Sequence, residues 1–252
     1  MSCYLPLGTM LWVLCVLQLM FYMAFGCVVE ERIALMRIRS SLVGANSSKV
    51  PESWGRTLQG LTKLRYLDLS GNCLIGNNML DSLGKLASLE VIDIDSCRMS
   101  GSLQSSDFIN LKNLRELRIG SNQFNGSIPA SLFELPRLEY LDLSGNLLQH
   151  IPITSPSNLP LLLREIHLEF NQLSGSIPAS LFGLPRLEYL DLSWNHLQGH
   201  MPISSSSNLS PSLKIIKLPR NNLNGLFDFF WLRNCTMLKK VDLSGNADWQ
   251  LM

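Results

Sequence analysis

Leucines recur along the chain in a pattern that returns about every 25 residues. Residues 135–148 read LPRLEYLDLSGNLL, and the pattern L-x-x-L-x-x-L-x-L-x-x-N-x-L returns at 184–197, with weaker copies on both sides. Within L-x-L the side chains alternate, so Leu141 and Leu143 face one way while the residues beside them face the other. The pattern therefore predicts one short β-strand per repeat, with its leucines directed into a core.

The asparagine of the pattern marks the period. Aligned on that position, the eight copies are separated by 25, 25, 24, 25, 24, 26 and 25 residues. The aligned residues are Asn72, Cys97, Asn122, Asn146, Asn171, Asn195, Asn221 and Asn246. An asparagine amide after a strand can bond to backbone groups that the turn leaves unpaired. We therefore predict a ladder of asparagines along the stack, interrupted where Cys97 supplies a weaker thiol.

This periodicity predicts an α/β solenoid of the leucine-rich-repeat class. Such a fold is a right-handed superhelix in the shape of a horseshoe arc, with a parallel β-sheet on its concave face. Residues 61–252 supply about eight repeats of 24–26 residues, and we expect the array to lack a C-terminal cap. Residues 126–149 and 175–198 are identical at 21 of 24 positions, which indicates a duplication of two coils.

The first sixty residues carry two other patterns. Residues 11–25 form an almost continuous apolar run, and small residues follow it, which predicts a signal peptide over residues 1–26. The alternative is an uncleaved membrane anchor, because the uncharged stretch is long enough to span a bilayer and no Lys or Arg precedes it. For residues 27–60 we expect a shortened N-terminal cap, with an amphipathic capping helix over about 30–43.

Either interpretation of the N-terminus directs the chain into the secretory pathway, and then to the cell surface or the extracellular space. Four N-x-S/T sequons fit that destination, because such sequons are glycosylated on secreted surfaces. The predicted glycosylation sites are Asn46, Asn125, Asn208 and Asn234.

Charge and motif content exclude several functions. The net charge is +1, from 21 basic and 20 acidic residues, so no overall positive field attracts nucleic acid. No GxSxG, HExxH or glycine-rich phosphate loop is present. We therefore predict a non-enzymatic protein without a metal or small-molecule cofactor. The cysteines after the signal region have no disulfide-framework or zinc-site spacing, so their pairing stays open. They are Cys27, Cys73, Cys97 and Cys235.

Short motifs beside the coils indicate a family. Residues 27–35 read CVVEERIAL, and residues 126–129 and 175–178 both read GSIP. Together with the coils, these motifs resemble those of plant extracellular leucine-rich-repeat proteins, above all the receptor-like proteins. The resemblance implies a second small sheet at the G-x-I-P segments. It also implies an ectodomain that perceives peptide, pathogen or glycan signals in defence or development, with a protein or peptide ligand and a co-receptor kinase as partners.

The chain departs from the family pattern, because the cysteines that staple the family's N-terminal cap are missing. We therefore infer a deletion in the cap. Because no C-terminal capping coil follows the last repeat, we also expect a truncated ectodomain of a receptor-like protein. One alternative is a secreted inhibitor of a cell-wall-degrading enzyme, similar to polygalacturonase-inhibiting proteins, which share this coil type and lack a membrane anchor. Another is a degraded gene copy without function.

The outward positions of the strands are the first candidates for ligand binding. Their central column holds Asp68, Asp93, Arg118, Asp142, His167, Asp191, Lys217 and Asp242. In one interpretation, opposite charges pair along this column and only set the register of the coils. In the other, the column lines a polar groove in which flanking aspartates raise the pKa of His167 and make binding pH-dependent.

We predict a recognition surface on the concave side of coils three to seven, because exposed aromatic residues beside charges are typical of such surfaces. The alternative for Phe170 and Trp194 is that they cover the edge of the core. The predicted site residues are Glu116, Arg118, Tyr140, Asp142, Glu165, His167, Glu169, Phe170, Tyr189, Asp191, Trp194 and Lys217.

Overall fold

A computed structural model describes most of the repeat region. The predicted signal peptide and N-terminal cap lie outside the described residues, as do Cys27, Cys73 and three of the four sequons. In the part that is described, no helix is both long enough and apolar enough to cross a membrane. The described residues are 61–71, 79–152, 160–201, 209–227, 235–246 and 249–251.

Eight short parallel strands, one from each coil, form the main sheet, and they pair in chain order. In each strand the middle residue faces the core and the two outer residues face the concave side. The strands are Tyr66–Asp68, Val91–Asp93, Glu116–Arg118, Tyr140–Asp142, Glu165–His167, Tyr189–Asp191, Ile215–Lys217 and Lys240–Asp242. The predicted leucine-rich-repeat solenoid is thus confirmed.

Smaller parallel sheets form after the turns that follow the main strands, as the family resemblance of the G-x-I-P segments implies. One three-stranded sheet contains Ser100–Ser102, Gln123–Ser127 and Leu147–His150. A second contains Ser174–Gly175, His196–Gly199 and Asn222–Leu223. A two-stranded sheet joins Gly225–Phe227 to Trp249–Leu251.

Short helices complete the outer side of several coils. They include α-helices at Met79–Leu83 and Ala179–Phe182, and 3-10 helices at Ser105–Asp107 and Ala130–Glu134. Three phenylalanines in or next to these helices are buried in the coil interior. They are Phe108, Phe133 and Phe182.

The core is a continuous column of stacked leucines and isoleucines. Leu117, Leu141, Ile166 and Leu190 succeed one another in register at the middle of four neighbouring strands, and all four are fully buried. Burying one such side chain stabilises the fold by about 1.5–3 kcal/mol. No coil could bury its leucines alone, so stability comes from stacking.

A ladder of buried asparagines joins each coil to the one before it. The side-chain oxygen of Asn171 accepts the Leu148 amide at 3.0 Å, and its nitrogen donates to the Leu143 carbonyl at 2.9 Å; both partners belong to the preceding coil. The predicted ladder is confirmed in the described coils. The same pair of bonds recurs at Asn122, Asn146, Asn195, Asn221 and Asn246.

Cys97 occupies one position of this ladder and keeps part of its bonding. Its sulfur donates to the Leu69 carbonyl at 3.1 Å, the equivalent of the bond from Asn122 to the Ile94 carbonyl at 2.9 Å. A thiol is a weak donor and has no amide oxygen, so the interruption weakens the ladder without leaving this carbonyl unpaired. Cys97 and Cys235 are both buried thiols.

Replacing Asn171 by alanine would leave the Leu148 amide unpaired inside the stack, while the Leu143 carbonyl would keep its second bond, from Asn146. Because a buried unpaired polar group costs about 1–3 kcal/mol, we expect the free energy of unfolding to fall by about 1–3 kcal/mol. Urea denaturation followed by circular dichroism measures this change. Cys97→Ala is the matched control, since it removes only a weak donor, and we expect at most half the loss. Equal losses in both variants would contradict a dominant role for the amide.

Candidate functional site

The central outward column forms in the register that the repeat period predicts. Each of its eight residues lies opposite the equivalent residue of the next coil. Neighbouring backbones in such a sheet are about 4.8 Å apart. The column therefore presents one polar side chain per coil, at contact distance from the next.

Charges in this column bond mainly within their own coil. The Arg118 guanidinium lies 2.7 Å from the Glu116 carboxylate of the same strand. Pairing along the column, which one interpretation predicted throughout, is observed only between Asp191 and Lys217, at 3.2 Å, among the described residues. The reason is that residues two apart on a strand face the same side, so a long side chain reaches its strand neighbour as readily as the next coil.

The aspartates of the repeated D-L-S motif bond to the serine two residues later. Asp142 Oδ1 accepts the Ser144 amide at 2.9 Å and the Ser144 hydroxyl at 2.6 Å. Asp191 makes the same bonds to Ser193, and only 6% of its side chain is exposed. These carboxylates therefore stabilise the turn after the strand. Because Asp191 is buried and bonded to Ser193 and Lys217, it is poorly accessible as an acceptor for a ligand.

An inner aromatic row crosses coils three to seven on the concave face. The Arg118 guanidinium carbon lies 4.7 Å from the centre of the Tyr140 ring. The rings of Tyr140 and Tyr189 lie 5.1 and 4.6 Å from the His167 ring, one from each adjacent coil. Lys217 Nζ lies 5.0 Å from the centre of the Tyr189 ring and donates to its hydroxyl at 2.6 Å. The inner row thus has a cation at both ends.

Carboxylates control the charge of His167. Burial alone would lower the pKa of its imidazole, but hydrogen bonding and attraction from Glu169, with contributions from Asp142 and Glu165, raise the pKa above 6.5. Its ring nitrogens lie 3.4 Å from Glu165 and 3.9 Å from Glu169. The sequence predicted a raised pKa caused by flanking aspartates; glutamates of the same coil supply the larger part.

Burial and neighbouring groups also raise the pKa values of Tyr140 and Lys217 in the inner row. Burial, followed by the charge of Asp142, raises the pKa of Tyr140 to about 12. The bond to the Tyr189 hydroxyl, together with Asp191, raises the pKa of Lys217 to about 12. At neutral pH the tyrosine is therefore a neutral phenol and the lysine is charged, so the row presents fixed donors and cations.

An outer aromatic row lies in the turns that follow the strands of coils five to seven. The rings of Phe170 and Trp194 stack at 5.5 Å, and the Arg220 guanidinium carbon lies 5.2 Å from the centre of the Trp194 ring. Phe170 is 56% exposed and Trp194 is 49% exposed. About half of each side chain therefore faces solvent, and the other half is covered by neighbouring groups. Arg220 thus joins the two predicted aromatic residues from the equivalent position of coil seven.

All three residues of the outer row have a left-handed backbone. Their φ angles are 55° at Phe170, 54° at Trp194 and 56° at Arg220. The equivalent residue of coil four is Gly145, with φ 61°. Bulky residues in this region cost about 1–2 kcal/mol each, so glycine would be the easier choice for the fold. Phe170 and Trp194 therefore occupy positions whose backbone conformation is unfavourable for bulky residues.

A charge ladder at the start of the strands was missed by sequence reasoning. The residue just before each strand alternates between arginine and glutamate from coil one to coil six, at the same period. That alternation is the signal that could have revealed it. Surface pairs of this kind contribute about 0–1 kcal/mol each and help to set register. The observed pairs are Arg65–Glu90, Arg115–Glu139, Arg164–Glu188 and Lys214–Glu188.

Nine of the twelve predicted site residues occupy outward positions of the strands of coils three to seven, Glu169 lies beside His167, and Phe170 and Trp194 lie in the turns that follow the strands. Glu116 and Glu165 share a second outward column with Tyr140 and Tyr189. Asn125 is the one predicted glycosylation site among the described residues, and it is exposed. Over the described ranges, no group of three or more His, Cys, Asp or Glu side chains is placed to hold a metal ion.

Comparison with known proteins identifies the repeat. Family models described as leucine rich repeat match residues 60–81, 87–148, 145–197 and 186–209, which together exceed half of the chain. Among curated proteins, Receptor-like protein 39 of Arabidopsis thaliana is 35% identical over 109 residues. That alignment covers 34% of this chain and 12% of the relative, so the chain spans only a small part of the proteins it matches.

Solved structures of plant receptors share the fold. The peptide hormone receptor RGFR1, in complex with RGF2, superposes with a TM-score of 0.70 and 25% identity, covering 81% of this chain and 34% of that one. The Arabidopsis receptor kinase HAESA ectodomain, in complex with the IDA peptide hormone, gives a TM-score of 0.65 at 30% identity, with 81% and 32% covered. A further HAESA structure, with a TM-score of 0.59, also contains the co-receptor SERK1.

The raised pKa of His167 predicts a pH dependence of stability. Because the folded pKa exceeds the unfolded value near 6.5, the stabilisation is fully present below that pH and is lost as the pH rises through the folded pKa. We expect the free energy of unfolding to fall between pH 6 and pH 8, and His167→Gln to flatten this fall. Urea denaturation at several pH values measures it.

The control for this measurement is His196→Gln, which changes an exposed histidine in the strand His196–Gly199 of one of the smaller sheets. We expect this variant to keep the wild-type slope between pH 6 and pH 8. A His167→Gln variant with the wild-type slope would show that the surrounding carboxylates do not hold the proton.

Proposed function

The chain belongs to the leucine-rich-repeat family, and we propose that it is the ligand-binding part of a plant receptor-like protein at the cell surface that recognises a peptide. The observation that carries this proposal is the inner aromatic row, from Arg118 to Lys217. It offers ring faces, charged groups and a histidine along one groove of five coils. An extended peptide matches that shape, since the solenoid repeats one set of side chains per coil.

Electrostatics in the groove support recognition of a specific ligand. Lys217 is charged, the Tyr140 hydroxyl stays protonated, and carboxylates surround His167. Aromatic residues and arginines beside one another are the residues that contribute most binding energy at protein interfaces. The groove therefore has the chemical variety that peptide discrimination needs.

The relatives favour a receptor over the alternative of a secreted enzyme inhibitor. Receptor-like protein 39 is named as a receptor-like protein, and the RGFR1 and HAESA structures contain bound peptide hormones. None of these is described as a polygalacturonase inhibitor. By the same comparison we propose a non-enzymatic protein, whose role is to bind and present its ligand.

Location and partners follow from the same premise. Plant receptor-like proteins act at the cell surface, so we propose that this chain faces the extracellular space. HAESA is described in complex with both a peptide and the co-receptor SERK1. We therefore propose a peptide ligand and a co-receptor kinase as partners of the protein to which this chain corresponds.

Binding of synthetic eight-residue peptide libraries to the immobilised full chain tests the proposal. We expect a subset of peptides to bind, and Tyr189→Ala to weaken their binding at least tenfold, because the variant removes the ring between His167 and Lys217. Tyr189→Phe keeps the ring and loses only the hydroxyl, so its loss should be smaller. Biosensor titration measures the dissociation constants.

The matched control is Ile109→Ala, which truncates a residue that is exposed outside the concave sheet. We expect this variant to bind peptides as the wild type does. Peptide binding that is equally insensitive to Ile109→Ala and Tyr189→Ala would place the site elsewhere. Strong inhibition of a polygalacturonase without any peptide binding would support the inhibitor alternative instead.

A further inference from the structure

The two aromatic rows differ at their ends. In the inner row, a cation lies over a tyrosine at both ends: Arg118 over Tyr140, and Lys217 over Tyr189. In the outer row only the coil-seven end has one, where Arg220 lies over Trp194. The other end of the outer row is formed by the ring of Phe170.

The residue next to Phe170 on its coil-four side has no side chain. The equivalent residue there is Gly145, whose amide donates to the Glu169 carbonyl at 2.9 Å, so the two turns are direct neighbours. A Cβ atom at Gly145 would first meet the backbone of Ser121, at 3.3 Å, on the side away from Phe170. Over the described ranges, Trp194 is the one ring stacked on Phe170, and no cation lies over the Phe170 ring. We call this space the Gly145 slot.

The duplicated coils show that the fold does not require a ring or a glycine here. Coils four and six belong to segments that are identical at 21 of 24 positions. One of the three differences is this turn position, which is Gly145 in coil four and Trp194 in coil six. Both residues adopt the same left-handed backbone, at φ 61° and 54°. The choice between an open slot and a ring is therefore independent of the scaffold.

Two carboxylates lie over Gly120, in the coil that precedes the slot. A Cβ atom on Gly120 would meet Asp95 Oδ1 at 2.6 Å and Asp142 Oδ1 at 3.1 Å, so both acids converge over that glycine. Asp142 bonds to Ser144, the residue before Gly145. Burial raises the pKa of Asp95, and the charge of Asp142 raises it further. Among the described residues, neither acid forms an ion pair with Lys or Arg.

We propose that the Gly145 slot receives a positively charged side chain of the ligand, specifically an arginine, which stacks on the open face of Phe170 and completes the outer row. The inference rests on the proposed peptide-binding function. A guanidinium group fits better than an ammonium group, because its plane stacks on a ring while its edge donates to carboxylates. Asp95 and Asp142 supply the complementary charge.

Matched peptide pools test this proposal. In each pool one position of an eight-residue library is fixed as arginine, and in its partner pool the same position is citrulline, which keeps the shape without the charge. We expect the full chain at 150 mM NaCl to bind the best arginine pool at least fivefold more tightly than its citrulline partner. We expect Phe170→Gly to remove this preference, although it relieves the left-handed backbone strain.

Ser96→Gly is the matched control, since Ser96 has the same left-handed φ of 56° but carries no ring. It should keep the arginine preference, as relaxation of the backbone alone does not touch the slot. Phe170→Leu keeps an apolar side chain without a π face, and should lose the arginine preference as Phe170→Gly does. Urea midpoints of all variants exclude unfolding as the cause.

The outcomes separate this inference from the function on which it rests. If peptides bind but arginine and citrulline pools bind equally, or if Phe170→Gly keeps the full preference, the arginine slot is wrong and peptide binding stands. If no pool binds the wild-type chain, the peptide-binding proposal fails and the slot fails with it.

Discussion

The hydrogen bonds between each buried asparagine and the preceding coil hold this solenoid in register. Asn171 accepts from one backbone group of coil four and donates to another, and the same geometry repeats along the stack. Because these groups are buried, a slip of one residue would leave them unpaired. The asparagines therefore determine which residues of neighbouring coils lie side by side, as the leucines alone could not.

That register turns a sequence period into a surface. Residues about 25 positions apart come within about 4.8 Å of one another at the backbone, so one side chain per coil builds a continuous row. The inner row arises in this way: Tyr140, His167 and Tyr189 come from three successive coils. A peptide in the groove would meet these side chains in order, which links the stacking interactions to recognition.

The concave face contains residues with two kinds of task. The D-L-S aspartates hold the turns through their serines, so Asp191 is buried although its position faces outward. Phe170 and Trp194 do the reverse: they occupy positions where glycine would be easier, and they remain about half exposed. Residues that act against the preference of the fold are better candidates for function than those that satisfy it.

The sequence by itself determined the fold class, the strand positions, the asparagine ladder and the membership of the outward columns. These depend on backbone periodicity, which a repeated pattern records directly. The partners of each side chain were decided only by the tertiary structure. Arg118 bonds to Glu116 of its own strand, and glutamates govern His167 more than the column's aspartates do. Such choices depend on competition among several groups within a few ångströms, which no spacing in the sequence encodes.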